Sequence, residues 1–375
     1  MRVAASLLAI VSLVLAAPAH AGELVIGQCA ALEGAASQLG QGMKRGLELA
    51  LLEANASGGV NGATFKLISH DDGYEPEKAA ACARQLIEKE GAFALAGFVG
   101  TPTAKAALPV AVAAKVPLIG IFSGAMLLRD PVQRYVVNVR ASYDDETEAL
   151  VARLTAQGKK QIAVFSQNDA FGQAGLAGTE KALQKRGSAV AGKGLFERNT
   201  VAVDSGLKSV LAASPDAVIV VAPYKPMGAF VRAARAAGFK GTIATVSFVG
   251  TESLIADLGP TADGILISQV VPSPDAVGIP VVRTYQQAMA KAKADVSYVS
   301  LEGFISGRVL VAAARLAPAN PTREQLVEAL EKAGRVDLGG VSVSFSPTKH
   351  QGSSVVWLTE VSGGKARPAG ELGAN

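Results

Sequence analysis

Four short segments carry residues able to hold a small molecule by hydrogen bonds. Residues 32–40 bring Glu33, Ser37 and Gln38 together with two glycines. Residues 97–103 read Gly-Phe-Val-Gly-Thr-Pro-Thr, residues 122–125 read Phe-Ser-Gly-Ala, and residues 167–172 read Gln-Asn-Asp-Ala-Phe-Gly. Hydroxyl and amide side chains beside glycines, which leave backbone N–H groups uncovered, suit ligand capture rather than bond-making chemistry. Thr101 is expected near a helix start, where its hydroxyl and the free N–H groups face an anion. Taken singly, the same Ser, Thr, Asn and Asp residues serve equally well as helix caps. Their recurrence after successive strands is what points to a site.

Catalytic spacing is missing. Gly40, Gly42 and Gly46 do not fit G-x-G-x-x-G, and they follow the first predicted strand by a long loop. No Walker A or G-x-S-x-G string occurs. His70 and His350 are the only histidines after residue 21, and neither has a second His or Cys at ligand spacing. Asp71 and Asp72 are neighbours on an extended segment, so their carboxyls point opposite ways and make a poor acid–base pair. No catalytic residue, metal or cofactor is expected.

The elements that position these segments follow from an alternation of short apolar and longer amphipathic runs. Strands are predicted over 24–26, 65–68, 93–96 and 116–121, with helices over 39–56, 76–89 and 103–115. Pro76 suits a first helical turn, and Ser57-Gly58-Gly59 stops the first helix. After Tyr143 the rhythm restarts, with strands over 161–165, 218–221 and 242–246 and helices over 170–186, 203–213 and 227–237. The tail departs from it. Helices over 281–293, 301–316 and 322–332, the last capped by Thr322, precede alternating strands over 341–345 and 355–358. The expected fold class is α/β, two doubly wound parallel-sheet lobes joined by a hinge. Such lobes turn strand C-termini and helix N-termini toward a shared crevice and close on a ligand like a clamshell.

A chain of 375 residues fits two domains at about 150 residues each. Hydrophobic residues at 49% and charged residues at 18% fit a folded globular protein. Arg2, an apolar run over 7–17 and Pro18-Ala19-His20-Ala21 predict a secretory signal peptide over 1–21, cleaved after Ala21. The run is shorter than the ~20 residues of a membrane span, and Cys29 lies too far in to be lipidated. Export places Cys29 and Cys82 in an oxidising compartment. There they form a disulfide or stay two separately buried thiols. The 36 basic and 32 acidic residues give +4. The basic residues fall in scattered pairs such as Lys44-Arg45 and Lys159-Lys160, which excludes a nucleic-acid stripe.

Further strings stand beside these segments: Ile26-Gly27, residues 55–62, Asp71-Asp72-Gly73-Tyr74-Glu75-Pro76 and Asp169-Ala170-Phe171-Gly172. With them, from about Glu23 to Trp357, the chain resembles the branched-chain amino-acid (leucine/isoleucine/valine) binding proteins of ABC importers and the wider class of type I periplasmic solute-binding proteins. Residues 140–146 and 247–250 resemble a subset of that class. The resemblance implies a periplasmic monomer that captures a small amino acid or organic carboxylate and presents it to an inner-membrane ABC permease. It implies an N-terminal lobe of residues 22–141 plus 270–345 and a C-terminal lobe of 142–269 plus 346–375.

By the same resemblance Thr101 binds the ligand carboxylate, and Ser123, Gly124 and Ala125 offer backbone and hydroxyl groups. Phe171 and Tyr224 cover the ligand, Tyr298 stands near the hinge, and Leu39 and Tyr74 belong to first-lobe loops at the site. Each aromatic has core packing as its alternative. Phe248 stands where the amino-acid binders carry an acid for the ligand ammonium, and Leu39 where they often carry an aromatic. A buried ammonium needs a charged partner, so a carboxylate without an α-ammonium is expected over leucine, with Asp169 as the one alternative acid. Arg140 either grips a ligand carboxylate or, as the first expectation, forms a hinge ion pair with Asp144 or Glu146. The rival readings are a sensor of the same fold feeding a signalling partner, which would need an output domain or membrane segment, and a doubly wound enzyme.

Overall fold

The computed structural model describes residues 22–370; the expected signal peptide lies outside the described residues. Strands and helices alternate from the start: β1 (Glu23–Ala30), α1 (Ser37–Ala56), β2 (Thr64–Asp71), α2 (Pro76–Glu88), β3 (Ala94–Ala96), α3 (Thr101–Ala113), β4 (Leu118–Ile119) and β5 (Val136–Val137). The five strands form one parallel sheet in the order β2-β1-β3-β4-β5. The first connections are the right length for helical crossovers, which is what parallel neighbours require.

The chain then crosses into α4 (Tyr143–Ala156), β6 (Ile162–Gln167), α5 (Ala170–Gln184), β7 (Lys193–Phe196), α6 (Asp204–Leu211), β8 (Ala217–Val221), α7 (Tyr224–Ala236), β9 (Thr242–Thr245), α8 (Thr251–Leu258) and β10 (Leu266–Gln269). The remainder is α9 (Pro280–Lys291), α10 (Tyr298–Leu316), α11 (Arg323–Ala333), β11 (Arg335–Asp337), β12 (Ser342–Ser344), β13 (Trp357–Ser362) and β14 (Lys365–Pro368). The second sheet runs β14-β13-β10-β9-β8-β6-β7. Its inner strands are parallel, while β13 and β14 add to one edge antiparallel. Strands β11 and β12 pair as a separate antiparallel ribbon.

The fold class is as expected, with two lobes on two sheets, except that the second sheet is mixed. The expected strand over 116–121 shrinks to two residues because Gly120 turns the chain at φ 64°. The sequence pattern does not predict strands β5, β7, β10, β11 and β14 or helices α4 and α8. The first two residues of α4 after Tyr143 are acidic, so its apolar periodicity is weak where it starts. Its boundary is set instead by a capping box, Ser142 accepting from the Asp145 N–H and Asp145 accepting from the Ser142 N–H. Thr322 and Gln325 do the same for α11.

The tail helices return to the first sheet. Tyr285, Leu301, Phe304, Ile305 and Leu330 share a buried cluster with Ile26, Leu47, Phe65 and Ile119. Helices α1 and α10 approach closely at Gly46 and Gly303. A Cβ on Gly46 would lie 1.9 Å from the Ser300 carbonyl oxygen, and one on Gly303 would lie 2.4 Å from that of Met43. Cys29 in β1 and Cys82 in α2 are joined by a disulfide, with Cα atoms 6.1 Å apart. The separate-thiol alternative does not occur.

Candidate functional site

The two lobes are closed on one another, and most of the expected site residues meet at that seam. Helix α3 starts at Thr101, two residues earlier than its apolar spacing predicts. Its N-cap is Gly100, at φ 99°, with no side-chain cap. Only glycine fits there. The φ is left-handed, and a Cβ would lie 2.3 Å from Tyr74 Cε2. Thr101 therefore does not cap its own helix. Its Oγ1 lies 2.7 Å from Ser123 Oγ, and both residues are fully buried. Pro102 has no N–H and the Ala104 N–H donates to the Gly100 carbonyl at 3.1 Å, so the N–H groups of Thr101 and Thr103 are the ones that join the two hydroxyls at the positive end of α3.

The Ser123–Ala125 loop is held by Arg129. The guanidinium donates to the carbonyls of Ala125 (3.0 Å), Ser123 (3.0 Å) and Arg140 (3.3 Å). Burial, and then the Arg140 charge, lower its pKa to about 10. Arg129 thus ties the candidate ligand loop to the first crossover between lobes. Gly124 abuts Tyr143: a Cβ there would lie 2.5 Å from Tyr143 Cδ1. Tyr143, the first residue of α4, is 1% exposed, and its hydroxyl has no hydrogen-bond partner. Burial pushes its pKa up.

Aromatic rings close the seam. Phe248 packs against Phe122 (5.1 Å between centroids) and Tyr74 (6.1 Å) from the first lobe and Phe171 (4.5 Å) from the second. Phe171 in turn meets Tyr143 at 5.5 Å. Leu39 reaches across to Gly250, where a Cβ would lie 2.5 Å from its Cδ2. Tyr224 is buried at the start of α7, in the same cluster as Leu39, Tyr74, Phe122, Ala125, Phe171 and Phe248. A cavity of about 10 Å³ remains, lined by Ala35, Ala36, Tyr74, Gln167, Asn199, Thr200, Pro223 and Pro226. At the rim Arg198 meets Glu75 at 2.8 Å, and Asn199 donates to the Gly73 carbonyl at 3.1 Å and to Glu75 at 2.7 Å.

Asp169 and Tyr298 take other places, while Arg140 forms the ion pair that is its first expectation. Asp169 is the N-cap of α5: its Oδ1 accepts from the Phe171 N–H at 2.9 Å and its Oδ2 from Gln167 Nε2 at 2.6 Å. It is therefore committed and not a spare acid for a ligand ammonium. Arg140 pairs with Glu146 at 2.6 Å and with Glu302 at 3.4 Å, and also donates to Ser247. Asp144, the other acid considered for it, pairs with Lys181. Tyr298 starts α10 and belongs to the other apolar cluster. It lines a separate cavity of about 360 Å³ with Thr251, Glu252, Ser273 and Asp275. Both carboxylate oxygens of Glu252, from the second lobe, accept from the Tyr298 N–H at 3.2 Å. Burial raises the Glu252 pKa to about 7.

Sequence reasoning placed Gln167 in a candidate segment without singling it out, and it missed Tyr143, Arg129, Glu252 and Glu302. One signal was available. Thr101, Tyr143, Tyr224 and Tyr298 each occupy the first position of a helix. Helix N-termini in such lobes face the crevice, and α4 escaped notice.

The geometry has parallels among known proteins. Residues 23–366 match the family described as periplasmic binding protein. An amino acid binding protein of Pseudomonas aeruginosa is 28% identical over 261 residues, covering 68% of this chain and 67% of that protein. A Leu/Ile/Val-binding protein homolog 7 of Brucella suis is 28% identical over 259 residues, covering 67% of this chain and 63% of that protein. The match thus spans less than two thirds of the Brucella relative's length. The crystal structure of a possible leucine/isoleucine/valine-binding protein from Rhodopirellula baltica shares 38% identity and a TM-score of 0.91, covering 96% of this chain and all of that one.

Proposed function

The chain belongs to the periplasmic binding protein family, and from that premise we propose that it is the solute-capturing component of an ABC-type importer and that its solute is a monocarboxylate without an α-ammonium group. The lobes are residues 22–141 with 270–345 and 142–269 with 346 onward. The protein works in the periplasm as a monomer and hands its solute to an inner-membrane permease. It captures the solute without converting it.

The observation that carries this reading is the Thr101–Ser123 hydroxyl pair, 2.7 Å apart and buried at the N-terminus of α3. Two hydroxyls, the uncovered N–H groups of that turn and the unpartnered Tyr143 hydroxyl form a donor-rich pocket. Such a pocket suits a carboxylate. Opposite it stand Phe248 and Phe171 rather than an acid, and Asp169 is occupied. An ammonium there would lose its hydration without gaining a charged partner. The ligand favours the closed arrangement because only there do both lobes touch it.

Thermal unfolding against amino acids, aromatic acids, aliphatic acids and amides tests the reading. A ligand at 100 times its Kd adds about 2.7 kcal/mol. Stabilisation by acids and not by the matching amino acids is expected. Stabilisation by leucine, isoleucine or valine alone would overturn it.

A further inference from the structure

Gln167 ends β6 and is 1% exposed. Its Nε2 donates to Asp169 Oδ2 at 2.6 Å and to the Tyr74 hydroxyl at 3.3 Å. The amide's orientation is not free. A carboxylate can only accept, so the NH2 group must face Asp169 and the carbonyl must face away. That carbonyl, Oε1, is buried and has no partner. A buried acceptor left unmet is costly, and nothing in the closed seam meets this one. Gln167 also lines the about 10 Å³ cavity between the lobes.

Its distance from the carboxylate pocket is set by one side chain. The Tyr74 ring edge packs on Gly100, the residue before Thr101, while the hydroxyl of the same ring accepts from Gln167. The hydroxyl-bearing edge of one phenol ring therefore spans from the N-terminus of α3 to the Gln167 amide. Tyr74 is fixed in that span. It is 1% exposed, at φ 61°, with its N–H held by Asp72 Oδ1 at 2.8 Å.

We propose that Gln167 is a specificity-determining residue whose Oε1 accepts a hydrogen bond from the far end of the ligand, so that the cleft selects one-ring acids carrying a hydroxyl opposite the carboxylate. This rests on the carboxylate reading above. A site built around a buried acceptor discriminates strongly against a ligand lacking the donor, because the acceptor then stays unpaired in the complex. The ring-lined seam of Phe122, Phe171 and Phe248 suits an aromatic body between the two polar ends.

The test is calorimetric titration of the full mature protein with 4-hydroxybenzoate and with benzoate. The hydroxylated acid is expected to bind at least about tenfold more tightly, the value of one good buried hydrogen bond. Gln167→Met keeps length and removes the acceptor; it should erase that difference. Tyr143→Phe, altered at the carboxylate end, should weaken both acids by the same factor and keep their ratio. Equal binding of the two acids by the wild type would overturn the assignment of Gln167 and leave the carboxylate reading standing, as would a preference that survives in Gln167→Met. Failure of both acids to bind, with binding of leucine, would bring down the carboxylate reading itself. Melting curves of each variant without ligand separate loss of fold from loss of contact.

Discussion

Thr101 Oγ1 and Ser123 Oγ, on loops that follow two neighbouring strands of the first sheet, are each other's hydrogen-bond partners at 2.7 Å and are fully out of solvent. Both residues follow strands of the first sheet, and Arg129 holds the Ser123 loop through the carbonyls of Ser123 and Ala125. The pair is a preorganised donor site in which little ordering is left for the ligand to induce.

Thr101→Val keeps the shape of the side chain and removes its hydroxyl. Binding of a carboxylate ligand should weaken by roughly ten- to a hundredfold, about 1–3 kcal/mol, because one hydroxyl is lost from the pocket and Ser123 Oγ keeps only the Ala125 N–H. The unliganded melting point should move little by comparison. Titration calorimetry alongside melting curves checks both. Unchanged affinity in Thr101→Val would remove this residue from the site.

Phe248 touches rings of both lobes and is fully buried. Phe248→Ala should cost about 3–5 kcal/mol, as aromatic truncations in packed interiors do. Part of that loss should appear as weaker closure, since two of the three ring contacts cross the seam. Urea unfolding gives the stability change, and small-angle scattering of the unliganded variant should show a larger radius of gyration than the wild type.

Much of this architecture is legible from residue order. Pro76, Thr322 and the Ser57-Gly58-Gly59 stop mark real helix ends, and the apolar runs of β1, β6 and β8 are strands. The Thr101 and Ser123 loops are brought together because strands β3 and β4, which precede them, are neighbours in the sheet. Arg129 and Glu302 escaped because their roles depend on partners distant in the chain. Arg129 serves carbonyls up to 12 residues away, and Glu302 meets Arg140 across 162 residues. No local pattern distinguishes such a glutamate from a surface one. Helix α4 escaped because its start is acidic. With it went Tyr143, whose ring is placed only by the close approach of Gly124.

Glu252 gives a pH signature. Its pKa rises from the ordinary 4.5 to about 7, chiefly through burial. The folded protein then holds more protons than the unfolded one between those values. The stability this group contributes is therefore complete below about 4.5 and declines as pH rises through about 7. Asp72, also raised to about 7 by burial, adds a slope of the same sign. Glu252→Gln keeps an acceptor for the Tyr298 N–H without the buried charge. It should flatten melting temperature against pH and gain on the order of 1 kcal/mol at pH 8. A variant with the wild-type slope would show that Glu252 is ordinary when folded.

The Cys29–Cys82 disulfide closes a loop across a sequence separation of 53 and links β1 to α2 within one apolar cluster. Reduction, or the double Cys→Ser variant, should lower unfolding free energy by about 2–4 kcal/mol by freeing the unfolded chain. Denaturant titration with and without a thiol-free reductant measures this. Ligand affinity should change far less than stability, since the bridge belongs to a different apolar cluster from Phe122, Phe171 and Phe248.

Arg140 is the strongest candidate for a residue that couples the lobes. Its side chain is 1% exposed and pairs with Glu146 and Glu302, themselves 0% and 4% exposed. Glu302 comes from α10, packed on the first sheet, and Glu146 from α4, packed beside the second. Ser247, the third partner, immediately precedes Phe248. Glu146 is further fixed by the Ser247 N–H at 2.8 Å and the Ser268 hydroxyl at 2.6 Å. Burial carries the Glu302 pKa up to about 7 even with Arg140 pulling it down. Arg140→Met therefore leaves two carboxylates buried against each other and should cost about 3–5 kcal/mol, as breaking one side of a buried ion pair does. The loss should grow from pH 5 to pH 8, because at low pH Glu302 takes up a proton and its charge disappears. Arg140→Lys should rescue only part, since one ammonium cannot serve three partners spread around a guanidinium fork. Adding Glu146→Gln and Glu302→Gln to Arg140→Met removes the stranded charges and should recover most of the stability. Recovery of stability without recovery of ligand affinity would show that the cluster aligns Phe248 for closure. Recovery of both would reduce it to a structural pair.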